Sequence, residues 1–515
     1  MKPWLVSAKN KTGNGSQFVL ETNLTVRIRK SNQIRKYIMS FKKAALNHIN
    51  EAPARTENGM KARKTSASAV LDFFGKAGSA RGTDITKDFM SAMADNQDLA
   101  VRALLWTRDI RAGAGERKQF RDLLVNLEAY NPTLAGRLMT KVPELGRWDD
   151  LFSYTDPMNR RKAFEMIRDA LTMKNGLCAK WMPRKGSVAV ELTKFLNLNP
   201  KQYRQMIVGL TQVVETQMCA KEWEAINFSH VPSVASARYQ KAFGRNAKEV
   251  YSNYIAELQK APEDRKDPKV KINASAVYPY DVIKSVITGN KAVANEQWKA
   301  LPNYIGDARI LPMVDVSGSM GMLRYSHGDG PSPIHVAISL GLYLSEKNTS
   351  DFKDMFLTFS EKPELQVLKG VLSERVAQLE KANWQMNTNL HKAFDEILNV
   401  AVKGGVSKED MPEMLLILSD MQFDRCTRFD DSAQEMIKRK YEKAGYELPK
   451  IVFWNLQKAP LNNVSTPVRY DDKGVCHVSG FSPAIMKAVL SVKELEDFTP
   501  FSVMTKTLMN ERYDY

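Results

Sequence analysis

The sequence predicts two fold classes in one multidomain chain: an all-α helical-repeat region followed by a doubly wound α/β domain. Three observations lead there. At 515 residues the chain is too long for one compact core, given ~100–200 residues per domain. After Pro302 the hydrophobic pattern changes from three-and-four spacing to short apolar runs alternating with helical stretches. The charge balance shifts at the same place. Residues 1–300 hold 50 Lys and Arg against 29 Asp and Glu, whereas residues 301–515 hold 25 against 29.

Composition narrows the class further. With 43% hydrophobic and 26% charged residues the chain is neither disordered nor low in complexity. No apolar run approaches the ~20 residues of a membrane span, and no signal-like segment opens the sequence, so a cytoplasmic protein without a membrane partner is expected. Cys178, Cys219, Cys426 and Cys476 form no CxxC pair and read as buried thiols of an intracellular protein.

Three segments follow from the pattern. Residues 1–60 are a basic arm and first helix: an extended run from Phe18 to Val26, then a helix from Asn32 to Asn50 with Ile34, Ile38, Phe41, Ala45 and Ile49 on one face. Residues 61–300 are the helical region. Residues 52–84, rich in Ala, Ser, Gly and Lys, read as a loop-rich connection into it. Helices are expected over Leu99–Ile110, Glu116–Tyr130, Arg160–Leu171, Pro200–Met218 and Ala247–Lys260, stacked as helical hairpins. A charged linker, Pro262 to Lys271, and one or two more helices lead to Pro302.

Residues 301–515 form the α/β domain. Strands are expected over Ile310–Val316, Met355–Phe359, Met414–Ser419, Ile451–Asn455 and Val475–Val478. Helices are expected near Ile334–Glu346, Leu390–Val402, Ser432–Ala444 and Ser482–Leu490. The closeness of Met355–Phe359 to Leu365–Leu368 predicts a hairpin, which places one antiparallel strand at an edge.

The first of these strands ends in Asp315-Val-Ser317-Gly-Ser319. A carboxylate and two hydroxyls at alternate positions of a tight turn can converge on a hard cation, and oxygen ligands favour Mg²⁺, then Mn²⁺ or Ca²⁺, over zinc. Thr388, just before a helix, and Asp420, at the end of a buried strand, complete the candidate set of Asp315, Ser317, Ser319, Thr388 and Asp420. The competing reading is a degenerate site that keeps the fold without metal. Asp424 reads as a loop carboxylate. His327 and His335 flank the loop without forming a catalytic set, and no nucleotide-binding loop is evident. A non-enzymatic protein is expected.

The basic half favours a polyanion, because neutralising phosphates releases counterions; the alternative is a surface charged for solubility alone. The candidate phosphate contacts are Arg108, Arg111, Arg117, Lys118 and Arg121, clustered around one helix start, and Lys180, Arg184 and Lys185 around Trp181. For each the alternative is a solvated face or an internal ion pair. Arg147, beside Trp148, Asp149 and Asp150, reads as a structural ion pair or stack, and Trp148, Trp181 and Trp223 as core. Arg27, Arg29, Lys30, Arg35 and Lys36 form a further basic arm that either binds RNA or clasps the acidic second domain.

The order and spacing of Asp315, Ser317, Ser319, Thr388 and Asp420 resemble the metal-ion-dependent adhesion site of von Willebrand factor A domains. Together with a basic helical array this resembles the proteins that join a TROVE domain to a von Willebrand A domain, the Ro type. The resemblance is carried by Arg55-Thr-Glu-Asn-Gly59, Leu71-Asp-Phe-Phe74, Arg108-Asp-Ile-Arg-Ala-Gly-Ala-Gly-Glu-Arg117, Pro143-Glu-Leu-Gly-Arg-Trp-Asp-Asp-Leu151, Lys180-Trp-Met-Pro-Arg-Lys185, Val231-Pro-Ser233 and Trp454-Asn455. It implies a HEAT-like ring closed by the metal-site domain, and an RNA partner, either a small noncoding RNA or a misfolded one. It further implies an open metal position able to take an acidic residue of a protein ligand or a ribonuclease partner. The resulting expectation is an RNA-binding protein in RNA quality control or a ribonucleoprotein scaffold; the alternative is a metal-dependent protein-interaction module.

Overall fold

A computed structural model of the chain describes residues 53–55, 61–63, 65–80, 82–211, 213–274, 277–288, 291–321, 332–359, 362–380, 390–421, 433–456, 468–495 and 497–515. The strand and helix expected before residue 52, and the basic arm they carry, lie outside these residues. Residues 53–515 form one compact unit.

The segment read as a loop-rich connection contains regular structure. It holds an antiparallel pair, β1 (Pro53–Arg55) and β2 (Lys61–Arg63), and helix α1 (Ala69–Ala77). The side chain of Ser68 caps α1 by accepting from the Leu71 N–H, and Val70, Leu71, Phe73 and Phe74 are buried. Small residues around them hid a core helix.

The helical region continues with α2 (Thr86–Asp95), α3 (Gln97–Arg108), α4 (Arg117–Tyr130), α5 (Pro132–Arg137), α6 (Lys141–Leu145) and α7 (Pro157–Thr172). It goes on through α8 (Gly176–Trp181), α9 (Ser187–Phe195), α10 (Pro200–Leu210), α11 (Val214–Ala220), α12 (Ser233–Asn246) and α13 (Lys248–Gln259). The last two before the sheet are α14 (Pro279–Ile287) and α15 (Lys291–Lys299). Many starts are set by one device. Asn96, Asn131, Asp156, Asn175 and Asn199 each turn a side-chain oxygen onto a first-turn N–H. The single helix expected over Pro200–Met218 is two helices, with Thr211 in extended conformation ending the first.

The α/β part matches its expected order. A six-stranded sheet runs β5-β4-β3-β6-β7-β8, with β3 (Ile310–Asp315), β4 (Met355–Phe359), β6 (Met414–Ser419), β7 (Lys450–Asn455) and β8 (Val475–Ser479) parallel, and β5 (Leu365–Val367) antiparallel at one edge. Every residue of β3 and β6 is buried, as strands covered on both faces require. Around the sheet lie α16 (Pro333–Lys347), α17 (Leu372–Glu380), α18 (Leu390–Gly404), α19 (Ala433–Lys443), α20 (Met486–Ser491) and α21 (Pro500–Leu508).

The helical and α/β parts share a core. One continuous apolar cluster runs from Val70 through Trp106, Trp298 and Trp454 to Tyr513. α1 packs on β8, α21 packs on α1 and α3, and α14 packs on α16. Two local expectations are corrected. Trp148, Trp181 and Trp223 are only partly buried; among the described residues the fully buried tryptophans are Trp106, Trp298 and Trp454. Cys178 and Cys476 are buried thiols but Cys219 is exposed, because it sits on the open face of the short α11. Among the described residues no helix is long and apolar enough to cross a membrane.

Candidate functional site

Parallel pairing of β3 with β6 sets Val314 opposite Leu418, so Asp315 and Ser419 come next to each other at the carboxyl end of the sheet. There the Asp315 carboxylate accepts the Ser419 hydroxyl at 2.5 Å and the Ser317 N–H at 2.9 Å. The chain then makes a 3₁₀ turn over Gly318–Met320 and leaves through Gly321, whose φ of +92° suits glycine. That turn brings the Ser317 and Ser319 hydroxyl oxygens to 3.1 Å from each other. Asp315 is fully buried and Asp420 nearly so. Burial, and then the charge of Asp420, push the Asp315 carboxyl up to about 7.

Two buried carboxyl groups repel, so one holds its proton unless a cation sits between them. The donor set therefore fits a hard divalent cation, whose neighbouring oxygen ligands stand ~3 Å apart when each is ~2.1 Å from the metal. Four of the five expected ligands, Asp315, Ser317, Ser319 and Asp420, are gathered at this end of the sheet; Thr388 lies outside the described residues, as do Asp424 and His327. His335, on α16, is engaged through Nδ1 by the Ser332 hydroxyl at 2.5 Å. Among the described residues no three His, Cys, Asp or Glu side chains cluster as a metal cage, so a cation here would depend on hydroxyls. Ser419 is the residue that the sequence reading missed. It sits in the apolar strand beside Asp420, and only strand register shows it to be the partner of Asp315.

The basic candidates separate into two groups. Arg108 is corrected outright: it is 1% exposed and its Nε donates to Asp150 at 2.7 Å. Asp150 also takes Arg121 Nε at 2.7 Å, and Arg121 reaches Asp149 at 2.8 Å. These arginines hold the framework together and are not turned to a solvent-borne phosphate. Lys118 is exposed but paired with Asp122 at 2.8 Å, and Arg111 donates to the Glu144 carbonyl at 3.1 Å. Arg117, exposed at the first position of α4, has no carboxylate partner among the described residues. Arg147 lies 4.0 Å over the ring of Trp181, not of its sequence neighbour Trp148.

The second group is different. Between residues 171 and 214 stand seven cations, Lys174, Lys180, Arg184, Lys185, Lys194, Lys201 and Arg204, and one acid, Glu191, which is already held by Arg160 at 2.8 Å. All but the half-buried Lys180 are exposed. None has an ion-pair partner among the described residues. They lie on and between α8, α9 and α10, and both α8 and α9 pack against α10. Lys174, Lys194, Lys201 and Arg204 were not singled out from sequence, although the lack of acids across forty residues was there to be read.

Residues 310–512 match a family described as a domain of unknown function (DUF7788), and residues 189–308 match another so described (DUF2828). The uncharacterized protein L728 of Acanthamoeba polyphaga mimivirus is 30% identical over 509 residues, covering 88% of this chain and 86% of that protein. The chain belongs to the family of that mimivirus protein. Among solved structures, that of the Ro (RSR) protein of Deinococcus radiodurans is similar with a TM-score of 0.35 and 14% identity, over 86% of this chain and 99% of that one. The junction between the two matched families, residues 308–310, falls at the start of β3.

Proposed function

We propose that this family member is a non-enzymatic RNA-binding protein, with a HEAT-like helical part and a von Willebrand A-like domain that carries a divalent cation. The observation that supports RNA is the contrast between two stretches of one helical array. From Gln97 to Asp169 most arginines are neutralised by neighbouring carboxylates, as in Arg102–Asp98, Arg108–Asp150, Arg121–Asp149 and Arg161–Glu165. From Lys174 to Arg204 seven cations face one already engaged acid. A chain that needed charge only for solubility would intersperse both signs there. Cations beside a half-buried tryptophan suit phosphates and unpaired bases of a single-stranded or irregular RNA better than duplex base edges. A small noncoding RNA or a misfolded RNA in the cytoplasm has that chemistry.

The test is recovery and sequencing of RNA crosslinked to the purified full chain, followed by titration of the recovered RNA at rising salt. Affinity should fall steeply with salt and should survive Asp315→Ala. Recovery no better than with an unrelated basic protein would remove the reading.

A second reading is favoured by the buried Asp315 beside Asp420. A Mg²⁺ ion held by Asp315, Ser317, Ser319 and Asp420 would supply one open position of positive charge, able to take an Asp or Glu of a protein partner. Chelation with EDTA should then abolish partner binding and leave RNA binding intact.

A further inference from the structure

A cavity of about 1040 Å³ opens between the starts of α2 and α4, the end of α3, α12 and Tyr278. Arg117, Arg147, Lys118 and Arg108 line it. Four guanidiniums, Arg108, Arg117, Arg121 and Arg147, gather in this part of the fold around the two carboxylates Asp149 and Asp150. Arg108 and Arg121 occupy those carboxylates with their side-chain nitrogens at 2.7–2.8 Å. Asp150 further takes the Arg147 backbone N–H at 2.9 Å, and the Arg147 side chain reaches neither carboxylate, although Asp149 Oδ1 has no hydrogen-bond partner among the described residues. The Arg147 side chain is stacked on Trp181 instead. Two guanidiniums on the cavity wall, Arg117 and Arg147, thus have no ion-pair partner among the described residues, and each raises the potential felt by the other.

The other acids of the wall have partners of their own. Asp122 is held by Lys118, Asp84 accepts the Thr86 N–H at 2.9 Å, and Glu116 is buried and already engaged. The amino end of α4 adds partial positive charge to the same wall, since its N-cap, Glu116, places no side-chain acceptor there. Ile110, Leu123 and Val125 supply apolar surface beyond it.

We infer that this cavity binds a phosphomonoester, with its phosphate dianion between Arg117 and Arg147 and the organic remainder against Ile110, Leu123 and Val125. The two unpartnered guanidiniums select the class. Arg117 and Arg147 have no carboxylate hydrogen-bond partner among the described residues, and the three terminal oxygens of a phosphomonoester can meet both guanidinium forks, which the two oxygens of a carboxylate or a phosphodiester do less completely. Size selects an organic ester, because the volume far exceeds a bare ion and matches sites for small organic ligands. The inference goes beyond the RNA reading and does not require it. The same group can come from a free small molecule or from the phosphorylated end of an RNA strand.

The experiment is calorimetric titration of the full chain with inorganic phosphate, ribose 5-phosphate, adenosine 5′-monophosphate and adenosine. Saturable binding of at least one phosphate compound, one per chain, is expected, with none for adenosine. Arg117→Gln should weaken binding about tenfold or more without moving the melting temperature, since Arg117 makes no ion pair. Arg147→Gln should weaken it too, while Lys118→Gln, which alters a pair already closed, should not. Displacement of the bound ester by 5′-phosphorylated but not 5′-hydroxyl RNA assigns the source to an RNA end; displacement by neither assigns it to a small molecule. Equal binding of adenosine, wild-type affinity in Arg117→Gln, or no binding of any phosphate probe at millimolar concentration would overturn the inference. Reversal of Lys194, Lys201 and Arg204 should abolish RNA binding and leave the ester bound, so failure of either reading is visible separately.

Discussion

The guanidinium of Arg512 closes on the carboxylate of Asp109, joining residues 403 positions apart in sequence. Arg512 Nη2 lies 2.8 Å from one Asp109 oxygen, while Arg512 Nε and the Tyr513 hydroxyl, at 3.1 Å, share the other. Asp109 is fully buried at the end of α3, so these donors are what make its charge tolerable. Arg512→Ala should therefore destabilise the protein by about 3 kcal/mol, because it leaves a buried carboxylate with only the phenol and the Arg111 N–H, neither of them charged. Urea unfolding of the variant checks this. Deleting residues 512–515 should have an effect at least as large, as it also removes the Asp514 partner of Arg102.

A second contact fixes the helical part to the sheet. The Gly78 N–H donates to the Ser479 hydroxyl at 3.1 Å, and that hydroxyl donates to the Phe74 carbonyl at 3.2 Å. A Cβ at Gly78 would stand 2.7 Å from the Ser479 backbone, closer than side chains come. Gly78→Ala should push α1 off β8 and lower stability by about 2 kcal/mol, within the range of overpacked sites. Gly405→Ala meets no atom but has φ +60°, so its loss should be of backbone origin and smaller. Thermal melting of the two variants separates steric from conformational cost.

These contacts show what a linear reading can and cannot supply. Strands β3 and β6 were legible because burial on both faces writes a continuous apolar run, and the turn after Asp315 because its oxygens alternate within five residues. Ser419 was not, since its role depends on which strand lies beside β3. Arg108 was misread for a related reason. A cation in the last turn of a helix looks solvated until the fold brings Asp150 across 42 residues to meet it. The basic face of α8–α10 was half legible. Lys180, Arg184 and Lys185 adjoin a tryptophan and drew notice, whereas Lys194, Lys201 and Arg204 matter only through the absence of carboxylates around them.

His477 gives the fold an acid-side limit. It is buried on β8 against α1, its Nε2 has no hydrogen-bond partner, and burial depresses its pKa from 6.5 to about 4. The unfolded chain therefore takes up a proton between pH 6.5 and 4 that the folded chain refuses. The stability owed to the neutral ring is full above pH 6.5 and lost progressively as pH falls toward 4, by an amount on the order of 3 kcal/mol. Unfolding free energies measured across that window should show this slope, and His477→Phe, if it folds, should flatten it. An unchanged slope in that variant would assign the acid sensitivity elsewhere.

The candidate cation site makes a prediction independent of any partner. If Mg²⁺ brings Asp315 and Asp420 to full ionisation, adding it should raise the melting temperature of the wild-type chain, since a ligand bound only by the folded state stabilises that state. Asp315→Asn should abolish the response. In the absence of cation the same variant should be as stable as wild type or more so, because it removes the repulsion with Asp420. A Mg²⁺ response of wild-type size in Asp315→Asn would show that the ion binds elsewhere.

The RNA reading predicts a salt dependence that can be divided among residues. Each phosphate neutralised contributes about −0.7 to the slope of log affinity against log salt for a single strand. Lys194, Lys201 and Arg204 are exposed and unpaired among the described residues, so Gln at all three should lower the slope by about 2 without loss of stability. The same change at Arg121 should act differently. Its guanidinium is closed on Asp149 and Asp150, so Arg121→Gln should lower the melting temperature and leave the slope unaltered once the protein is kept folded. Filter binding across a salt series, alongside melting of the same samples, measures both quantities. Equal slopes for the triple variant and the wild type would mean that RNA, if bound, contacts another face.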